Sequence, residues 1–473
     1  MSAYAAPRRD LRLLVAILIP VAGLLAALVI AKAAVMQPKL ALGGIAALCV
    51  FALAWRAPVA NLTILLFLTA VVPYGFQNQY GIGGGLNSPG LLPSDLFLLA
   101  GTASALLQIP SLPMDRRRFA YTLGVGVFLG FVGFQFVHGL QLGHAKSVVG
   151  QEGRVLFGFA TCLMALPLLA HQRSRRRLLG SLAVLTFALG AWGMLQWLGH
   201  LSYGGAGDVG VRSGVLQTSN GVGQLQGGEF GFPVAIIVCA SVLIAGELRS
   251  RFWKLLLACS LALNVASCLV TFERSFWMDA LAGVAFVTLV APKQKRIKAI
   301  TTVCALGAIA LLVLSVASPS TLTTARQRLN SISGYSTDDS VRYRLVESQF
   351  VYARVESHPI SGSGLGASIF WGQPWAKVPA KDRTFSHDGY LWVTWKLGLP
   401  AAVLLTLLLA GTLAARTKPR ETQLSRAVRR GAQGAILGLL IATVTFPSFS
   451  QLSIAPVMGV LIAVAISAEV RND

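Results

Sequence analysis

Residues 116–138 read RRRFAYTLGVGVFLGFVGFQFVH, three arginines followed by twenty residues without an aspartate, glutamate, lysine or arginine. A helix needs about 20 apolar residues to cross the roughly 30 Å hydrocarbon core of a bilayer. Similar apolar runs recur along the chain, at 11–31, 178–199, 229–246, 299–317 and 397–415. Of the 473 residues, 55% are hydrophobic and 12% are charged, which is about half the charged fraction of an ordinary soluble protein. The sequence therefore predicts an all-α polytopic membrane protein.

The basic residues account for the net charge of +22 without a nucleic-acid partner. They occur in short bursts between apolar runs, and the bursts fall in alternate loops. Because Lys and Arg are enriched in cytoplasmic loops, we place the bursts and both termini on the cytoplasmic side of a cytoplasmic (inner) membrane. The bursts are Arg8, Arg9 and Arg12; Arg116 to Arg118; Arg173 and Arg175 to Arg177; Arg249, Arg251 and Lys254; Lys293, Lys295, Arg296 and Lys298; and the segment from Arg416 to Arg430.

An even number of crossings must separate consecutive bursts, and the apolar runs meet this condition with about 12 to 14 transmembrane helices. Several runs are short for a full crossing, notably 40–55 and 59–73, so half-spanning pieces would lower the count to 10 or 12. About eleven predicted spans lie in residues 1–317, and the C-terminal spans lie in residues 390–473.

A long polar segment, residues 318–389, separates these two groups and is predicted to be a large extracytoplasmic loop. Within it, residues 339–357 predict an amphipathic helix at the outer surface of the membrane. The apolar stripe of this helix comprises Val341, Leu345, Phe350 and Val355. The helix is expected to end at His358-Pro359, and the glycines of residues 362–366 predict a flexible turn.

The cysteines carry no sign of a disulfide framework or a metal site. All six lie inside apolar runs, with neither a CxxC motif nor a Cys/His cluster. We therefore expect neither a disulfide framework nor a zinc site.

A few arginines stand on the side opposite the basic bursts and need another explanation. They are Arg154, Arg212, Arg274, Arg342 and Arg344. A single arginine at a helix end usually reaches a lipid headgroup or pairs with a neighbouring acid. Several on one face, beside the large loop, favour a second interpretation. The planar guanidinium matches phosphate oxygens bidentately, so such a cluster suits a diphosphate headgroup and its departure as a leaving group.

His387 ends the large loop where the next helix enters the membrane, in the stretch Ser386-His387-Asp388-Gly389. An imidazole can accept a proton from a sugar hydroxyl at neutral pH. A histidine at a helix start is also commonly a cap or a hydrogen-bonded structural group. The position of His387 alone is therefore compatible with a catalytic or a structural role.

These residues resemble motifs of a known family, the O-antigen ligase and O-antigen polymerase superfamily. His387 with Leu391 and Gly398, four and eleven residues later, resembles its histidine motif. Residues 341–366, an arginine-led helix ending in His-Pro and spaced glycines, resemble its loop signature. Residues 271–277 resemble its arginine hairpin, and residues 212–220 its upstream loop. Asp388 departs from the pattern, which has an amide or hydroxyl there, and a carboxylate beside the imidazole would raise the pKa of the histidine.

The resemblance implies a GT-C-like, metal-independent, inverting membrane glycosyltransferase without a cofactor. Its donor would be a glycan on polyprenyl (undecaprenyl) diphosphate, and its acceptor a glycan or lipid-linked hydroxyl at the outer face of the membrane. His387 would orient or deprotonate the acceptor, and Arg212 and Arg274 would hold the diphosphate. Arg342 would close the site over the donor. Arg154, Arg344 and Asp388 would support these groups.

The sequence leaves the acceptor open. A ligase transfers to another lipid-linked or lipid-anchored core, as in lipopolysaccharide, whereas a repeat-unit polymerase extends its own polymer. A multi-span transporter or lipid flippase is the alternative from a different class. That alternative predicts an internal repeat and polar groups near the bilayer midplane, whereas the polar residues of interest here collect at one face.

Overall fold

The structure is a computed structural model. It describes residues 38–72, 77, 90–111, 115–199, 214–217, 223–226, 231–317, 320, 323–324, 326–327, 339–373, 378–416 and 421–467. The helices in the first half are α1 (Pro38–Arg56), α2 (Pro58–Ala70), α3 (Pro93–Gln108), α4 (Arg116–Gln141), α5 (Lys146–Phe157), α6 (Thr161–Ala170) and α7 (Gln172–Leu198). Those in the second half are α8 (Gly231–Ala245), α9 (Arg251–Leu269), α10 (Arg274–Val290), α11 (Lys293–Ala317), α12 (Asp339–Ser357), α13 (Gly389–Leu397), α14 (Leu399–Leu413), α15 (Gln423–Thr443) and α16 (Ile454–Ile466).

The strands of the described residues form two short antiparallel hairpins. Strand β1 (Gly214–Gln217) pairs with β2 (Gly223–Gln226), and β3 (Ile369–Gln373) pairs with β4 (Val378–Arg383). The predicted all-α class is confirmed, since nearly all the regular structure is helical.

Four helical stretches in the described part are long and apolar enough to cross a membrane: Arg116–Gln141, Lys146–Ala170, Gln172–Leu198 and Arg251–Leu269. The second of these runs through α5, a short 3-10 turn and α6. Shorter apolar helices are Gly44–Arg56, Pro58–Ala70, Gly231–Ala245, Leu399–Leu413 and Ile454–Ile466. The chain is therefore a polytopic membrane protein. The total of 12 to 14 spans stays a prediction, and its first span, 11–31, lies outside the described residues.

Helices α10 and α15 pack antiparallel at close range, because glycines line their contact. A Cβ added to Gly438 would lie 2.0 Å from Oδ1 of Asp279, and one added to Gly434 would lie 2.9 Å from the carbonyl oxygen of Gly283. Near the start of α10, the ring of Phe276 lies 4.9 Å from that of Phe446, just beyond the end of α15. The start of α10 and the end of α15 therefore lie at one end of the bundle.

This pair of helices defines the two ends of the bundle. At the histidine end, the start of α13 meets the end of α15: Tyr390 donates its hydroxyl to the carbonyl of Leu440 at 2.7 Å, and Gly389 lies against Thr443. At the basic end, the start of α15 meets Lys295 at the start of α11, beyond the end of α10. His387 and Arg274 lie at the histidine end, and Arg426 and Arg430 lie at the basic end.

Candidate active site

His387 is held by a buried carboxylate that the sequence motifs do not contain. One oxygen of Glu347, on α12, lies 2.8 Å from Nδ1 of His387 and also accepts the backbone N–H of His387 at 2.8 Å. The Glu347 side chain is 0% exposed, whereas that of His387 is 24% exposed. One oxygen thus fixes both the main chain and the ring of the histidine.

The pairing determines which imidazole nitrogen is available for chemistry. An ionised carboxylate can only accept hydrogen bonds, so Nδ1 of His387 carries a proton when it contacts Glu347. In the neutral ring the lone pair then lies on Nε2. The partly exposed ring therefore offers a base at Nε2, and the carboxylate stabilises the imidazolium formed when that base takes a proton.

An aromatic cluster, Tyr343, Phe350, Trp371 and Phe385, surrounds the pair. Tyr343 and Phe385 meet the imidazole edge to face, with centroids 5.7 and 5.4 Å away. Trp371 of β3 lies 5.0 Å from Tyr343 and 5.9 Å from Phe350. The cluster connects the β3–β4 hairpin to α12 beside the histidine.

Arg383, on β4, is a further guanidinium in this cluster and was missed by the sequence reasoning. Its Cζ lies 5.0 Å from the centre of the Trp371 ring, and the residue is 9% exposed. A guanidinium at this distance over an indole face is attracted by a cation–π interaction. Burial raises the pKa of the Tyr343 phenol, and the charges of Glu347 and Arg383 act on that phenol in opposite senses. Arg383 and Glu347 therefore share one environment.

Asp388 has a local role that differs from the one its position suggested. Its Oδ1 accepts the backbone N–H groups of Tyr390 and Leu391 at 2.9 and 3.0 Å, which makes it the N-cap of α13. Burial and the neighbouring charge of Glu347 raise the pKa of Asp388. The carboxylate on the imidazole is thus that of Glu347, while Asp388 fixes the start of the helix that follows His387.

Helix α12 occupies the range in which the sequence predicts a helix, but its inward face differs from the expected stripe. Tyr343, Glu347, Val351 and Val355 face the protein at a spacing of four residues. Leu345 is 63% exposed and Phe350 42% exposed. Glu347 therefore lies in the middle of the inward face of α12. A pattern of apolar residues alone does not predict an acid at that position.

The glycine segment 361–367, expected to be a flexible turn, has its three glycines buried and is hydrogen-bonded to two helices. Gly362, Gly364 and Gly366 have φ between +65° and +80°, which favours glycine. The backbone N–H of Leu365 donates to the carbonyl of Gln135 at 3.1 Å, and that of Ser363 donates to the carbonyl of Trp395 at 2.8 Å. The segment is thus a rigid link between α4 and α13.

A buried ion pair completes this link. Nζ of Lys396 lies 2.8 Å from Oε1 of Glu152, and both side chains are at most 1% exposed. Glu152 also accepts the N–H of Gly366 at 2.6 Å, and Lys396 donates to the carbonyl of Ala367 at 2.5 Å. Both charges therefore hold the glycine segment, since each bonds to its backbone as well as to the other.

Arg274 is the first residue of α10, after a tight hairpin in which Phe272 has φ +53°. It is half-buried and lies at the histidine end, because the start of its helix and the start of α13 both pack against the end of α15. The structure thus brings Arg274 and His387 to the same end of the bundle.

The other predicted arginines have different placements. Arg342 is exposed and Arg344 half-buried, both on α12 near Tyr343. Arg154 donates from Nε to both oxygens of Asp95, at 2.8 and 2.9 Å, so it forms an ion pair with that acid. Arg212 lies outside the described residues.

An apolar cavity of about 560 Å³ lies elsewhere, between α2, α7, α8, α9, α15 and α16. Arg176 is the charged side chain in its lining. Acid–base chemistry needs converging polar groups, so we place the candidate active site at His387 and Glu347 instead.

The fold and the site thus define a polytopic helical membrane protein with a histidine–carboxylate pair at one end of its bundle. A family model described as O-antigen ligase matches residues 259–406, so the resemblance to the O-antigen ligase superfamily is confirmed over this segment. The segment contains the arginine hairpin, α12, the glycine segment and His387. It supports a glycosyltransferase-like enzyme, of ligase or polymerase type, in surface polysaccharide synthesis. No curated protein matches the chain.

Proposed function

We propose that this chain transfers a glycan from a polyprenyl diphosphate carrier to an acceptor hydroxyl at the outer face of the cytoplasmic membrane. The observation that carries the proposal is the Glu347–His387 pair, at the same end of the bundle as Arg274 and within the matched family segment. A base and a cationic group for a diphosphate are the two functions that such a transfer requires.

The chemistry follows from the geometry of the pair. Nε2 of His387 takes the proton of the acceptor hydroxyl, and the oxygen attacks the anomeric carbon of the donor sugar. The bond from that carbon to the diphosphate oxygen breaks, and the diphosphate leaves with the bonding electrons. Attack opposite the leaving group inverts the anomeric configuration. Glu347 stabilises the imidazolium during this step, because the new positive charge lies against a buried carboxylate.

Guanidinium groups take the place of a metal ion in this proposal. Arg274 and Arg212 bind the diphosphate and stabilise its growing charge, and Arg342 closes the site from α12. Arg383 adds a further guanidinium, over the ring of Trp371 in the aromatic cluster. Arg344 contributes to the positive potential, and Arg154 supports the fold through Asp95.

Ligase and polymerase activities share this mechanism and differ in the acceptor. We favour a ligase-like transfer to a lipid-linked or lipid-anchored core, with a repeat-unit polymerase as the second candidate. A transporter or lipid flippase is disfavoured, because the histidine–carboxylate pair is at one end of the bundle rather than on a path through it.

The proposal is tested by deleting the gene and analysing surface polysaccharides and lipid carriers together. We expect one polysaccharide to disappear from the surface while its precursor accumulates on the carrier. Full-length polymer on the carrier indicates a ligase, and single repeats indicate a polymerase. Unchanged polysaccharides, with no accumulated precursor, would contradict the proposal.

A further inference from the structure

A second group of cations converges on one cavity at the basic end of the bundle, far along α15 from His387. The cavity lies where the last turn of α8, the end of α10 and the first turns of α15 meet. Its polar and charged lining consists of Ser241, Lys295, Gln423, Arg426 and Arg430. The family's histidine and arginine motifs contribute none of these side chains.

The described residues give these three cations little neutralising charge. Lys295 lies 3.6 Å from Glu247, in a pair of which each side chain is more than a third exposed, and donates to the carbonyl of Ala245. Arg426 reaches the carbonyl of Glu421 at 3.4 Å, and its buried Nε has no acceptor among the described residues. Arg430 makes no hydrogen bond or ion pair with another described residue. The charges of Arg426 and Arg429 repel it, and the charge of Glu421, which Arg429 already binds, attracts it more weakly.

Arg429, which precedes Arg430 in sequence, has its charge neutralised by a carboxylate. Its Nε and Nη2 both bind the carboxylate of Glu421, at 3.1 and 3.0 Å, and its Nη1 donates to the carbonyl of Ala415. The contrast indicates that the cavity cations are not simply part of the fold's internal ion pairs.

Electrostatic repulsion makes this cavity attractive to an anion. Three like charges around one space repel each other, and an anion between them removes that repulsion. The polar side chain of Gln423, in the first turn of α15, also lines the cavity. The enrichment of Lys and Arg in cytoplasmic loops explains positive charge near the membrane surface. It does not explain why three basic side chains line a single cavity.

We infer that this cavity binds a phosphate group, with Lys295, Arg426 and Arg430 as its ligands. Guanidinium groups match phosphate oxygens bidentately, and the ammonium adds a point charge. The phosphate comes from the headgroup of an anionic phospholipid or from inorganic phosphate. The site lies at the opposite end of the bundle from His387, so this inference does not depend on the proposed transferase activity.

The test measures ligand-induced stabilisation of the purified full-length chain in detergent. Phosphatidylglycerol, phosphatidylcholine and inorganic phosphate are added separately, and the melting temperature is recorded. A ligand at 100 times its dissociation constant stabilises by about 2.7 kcal/mol, which is an upward shift of several degrees or less for a chain of this size. A shift with phosphatidylglycerol alone identifies the lipid headgroup as the source, and a shift with inorganic phosphate identifies the free anion.

Variants assign the shift to the cavity. Arg426→Gln and Arg430→Gln should each reduce the shift by more than half, whereas Lys293→Gln, at an exposed lysine two residues before Lys295, should leave it unchanged. If an arginine variant does not fold, Lys295→Gln provides the same comparison, with bound lipid counted by native mass spectrometry. Equal stabilisation by phosphatidylcholine, equal shifts in all variants, or no shift with either anion would overturn the inference.

Discussion

The imidazole of His387 owes its chemical character to a residue 40 positions earlier in the chain. Glu347 is buried, contacts Nδ1 at 2.8 Å and leaves Nε2 as the basic nitrogen. Loop helices commonly contain glutamates, so nothing in the sequence around Glu347 separates it from Glu356 on the same helix. The signal that was present is its spacing of four residues from Tyr343 and from Val351, which together form the inward face of α12.

Replacing Glu347 with glutamine should reduce glycan transfer by about 10²-fold or more, because proton transfer by a positioned base contributes 10² to 10⁴-fold. The amide carries no charge, so it cannot stabilise the imidazolium that forms when Nε2 takes the proton. Transfer rates are measured in membranes that contain equal amounts of the variant and wild-type proteins. Glu356→Gln, an exposed position on α12, is the matched control and should retain full activity. Wild-type rates in Glu347→Gln would show that the carboxylate only holds the loop.

Replacing Arg274 with lysine should remove most of the activity although the positive charge remains. An ammonium cannot reproduce the bidentate fork that a guanidinium offers to phosphate oxygens. Steady-state transfer rates at several donor concentrations measure the effect, and Arg354→Lys, an exposed arginine on α12, serves as the control. Normal turnover in Arg274→Lys would indicate that this arginine only anchors the hairpin before α10.

At the scale of elements, the glycine segment 361–367 holds the site together. Its positive-φ glycines follow from the sequence, because spaced glycines after His-Pro predict a turn. Its partners do not follow, because Gln135 and Glu152 are more than 200 residues away in sequence from the backbone groups they bind. Long-range pairing of polar side chains with buried backbone groups is thus the part of the fold that local patterns cannot supply.

A glycine on α4 tests this close contact. A Cβ at Gly139 would lie 2.1 Å from the carbonyl oxygen of Leu365, whereas one at Gly133, on the same helix, would meet nothing within 4 Å. Gly139→Ala should therefore lower both the melting temperature and the transfer activity. Gly133→Ala should be neutral, or more stable by about 0.5–1 kcal/mol because alanine favours the helix. Equal melting temperatures for the two variants would contradict the packing of the glycine segment on α4.

At the scale of the whole molecule, charge and hydropathy predicted the class of fold. The contacts between residues far apart in sequence came only from the structure. The apolar runs predicted a helical membrane protein. The positions of the basic bursts predicted that they and His387 lie on opposite sides of the membrane. Short helices such as Pro58–Ala70 limit what hydropathy can determine, since 13 residues at 1.5 Å each fall short of a full crossing. The composition of the site was predictable in its histidine and one arginine, but not in Glu347 or Arg383.

The orientation of the bundle is testable with single cysteines. In a chain without its native cysteines, Ser357→Cys, at the exposed end of α12, should react in intact cells with a reagent that does not cross the membrane. Lys293→Cys, at the basic end, should react only after the membrane is opened. The reverse pattern would place His387 on the cytoplasmic side and remove the proposed outer-face reaction.

The most direct test of the proposed transferase is His387→Ala in purified protein reconstituted into vesicles with a polyprenyl diphosphate-linked glycan and its acceptor. The measurement is the coupled appearance of glycosylated acceptor and free polyprenyl diphosphate. We expect transfer to fall by about 10²-fold or more, with the variant folded and still able to bind the donor. Transfer at the wild-type rate by folded His387→Ala protein would contradict the proposed role of His387 as the base in glycan transfer.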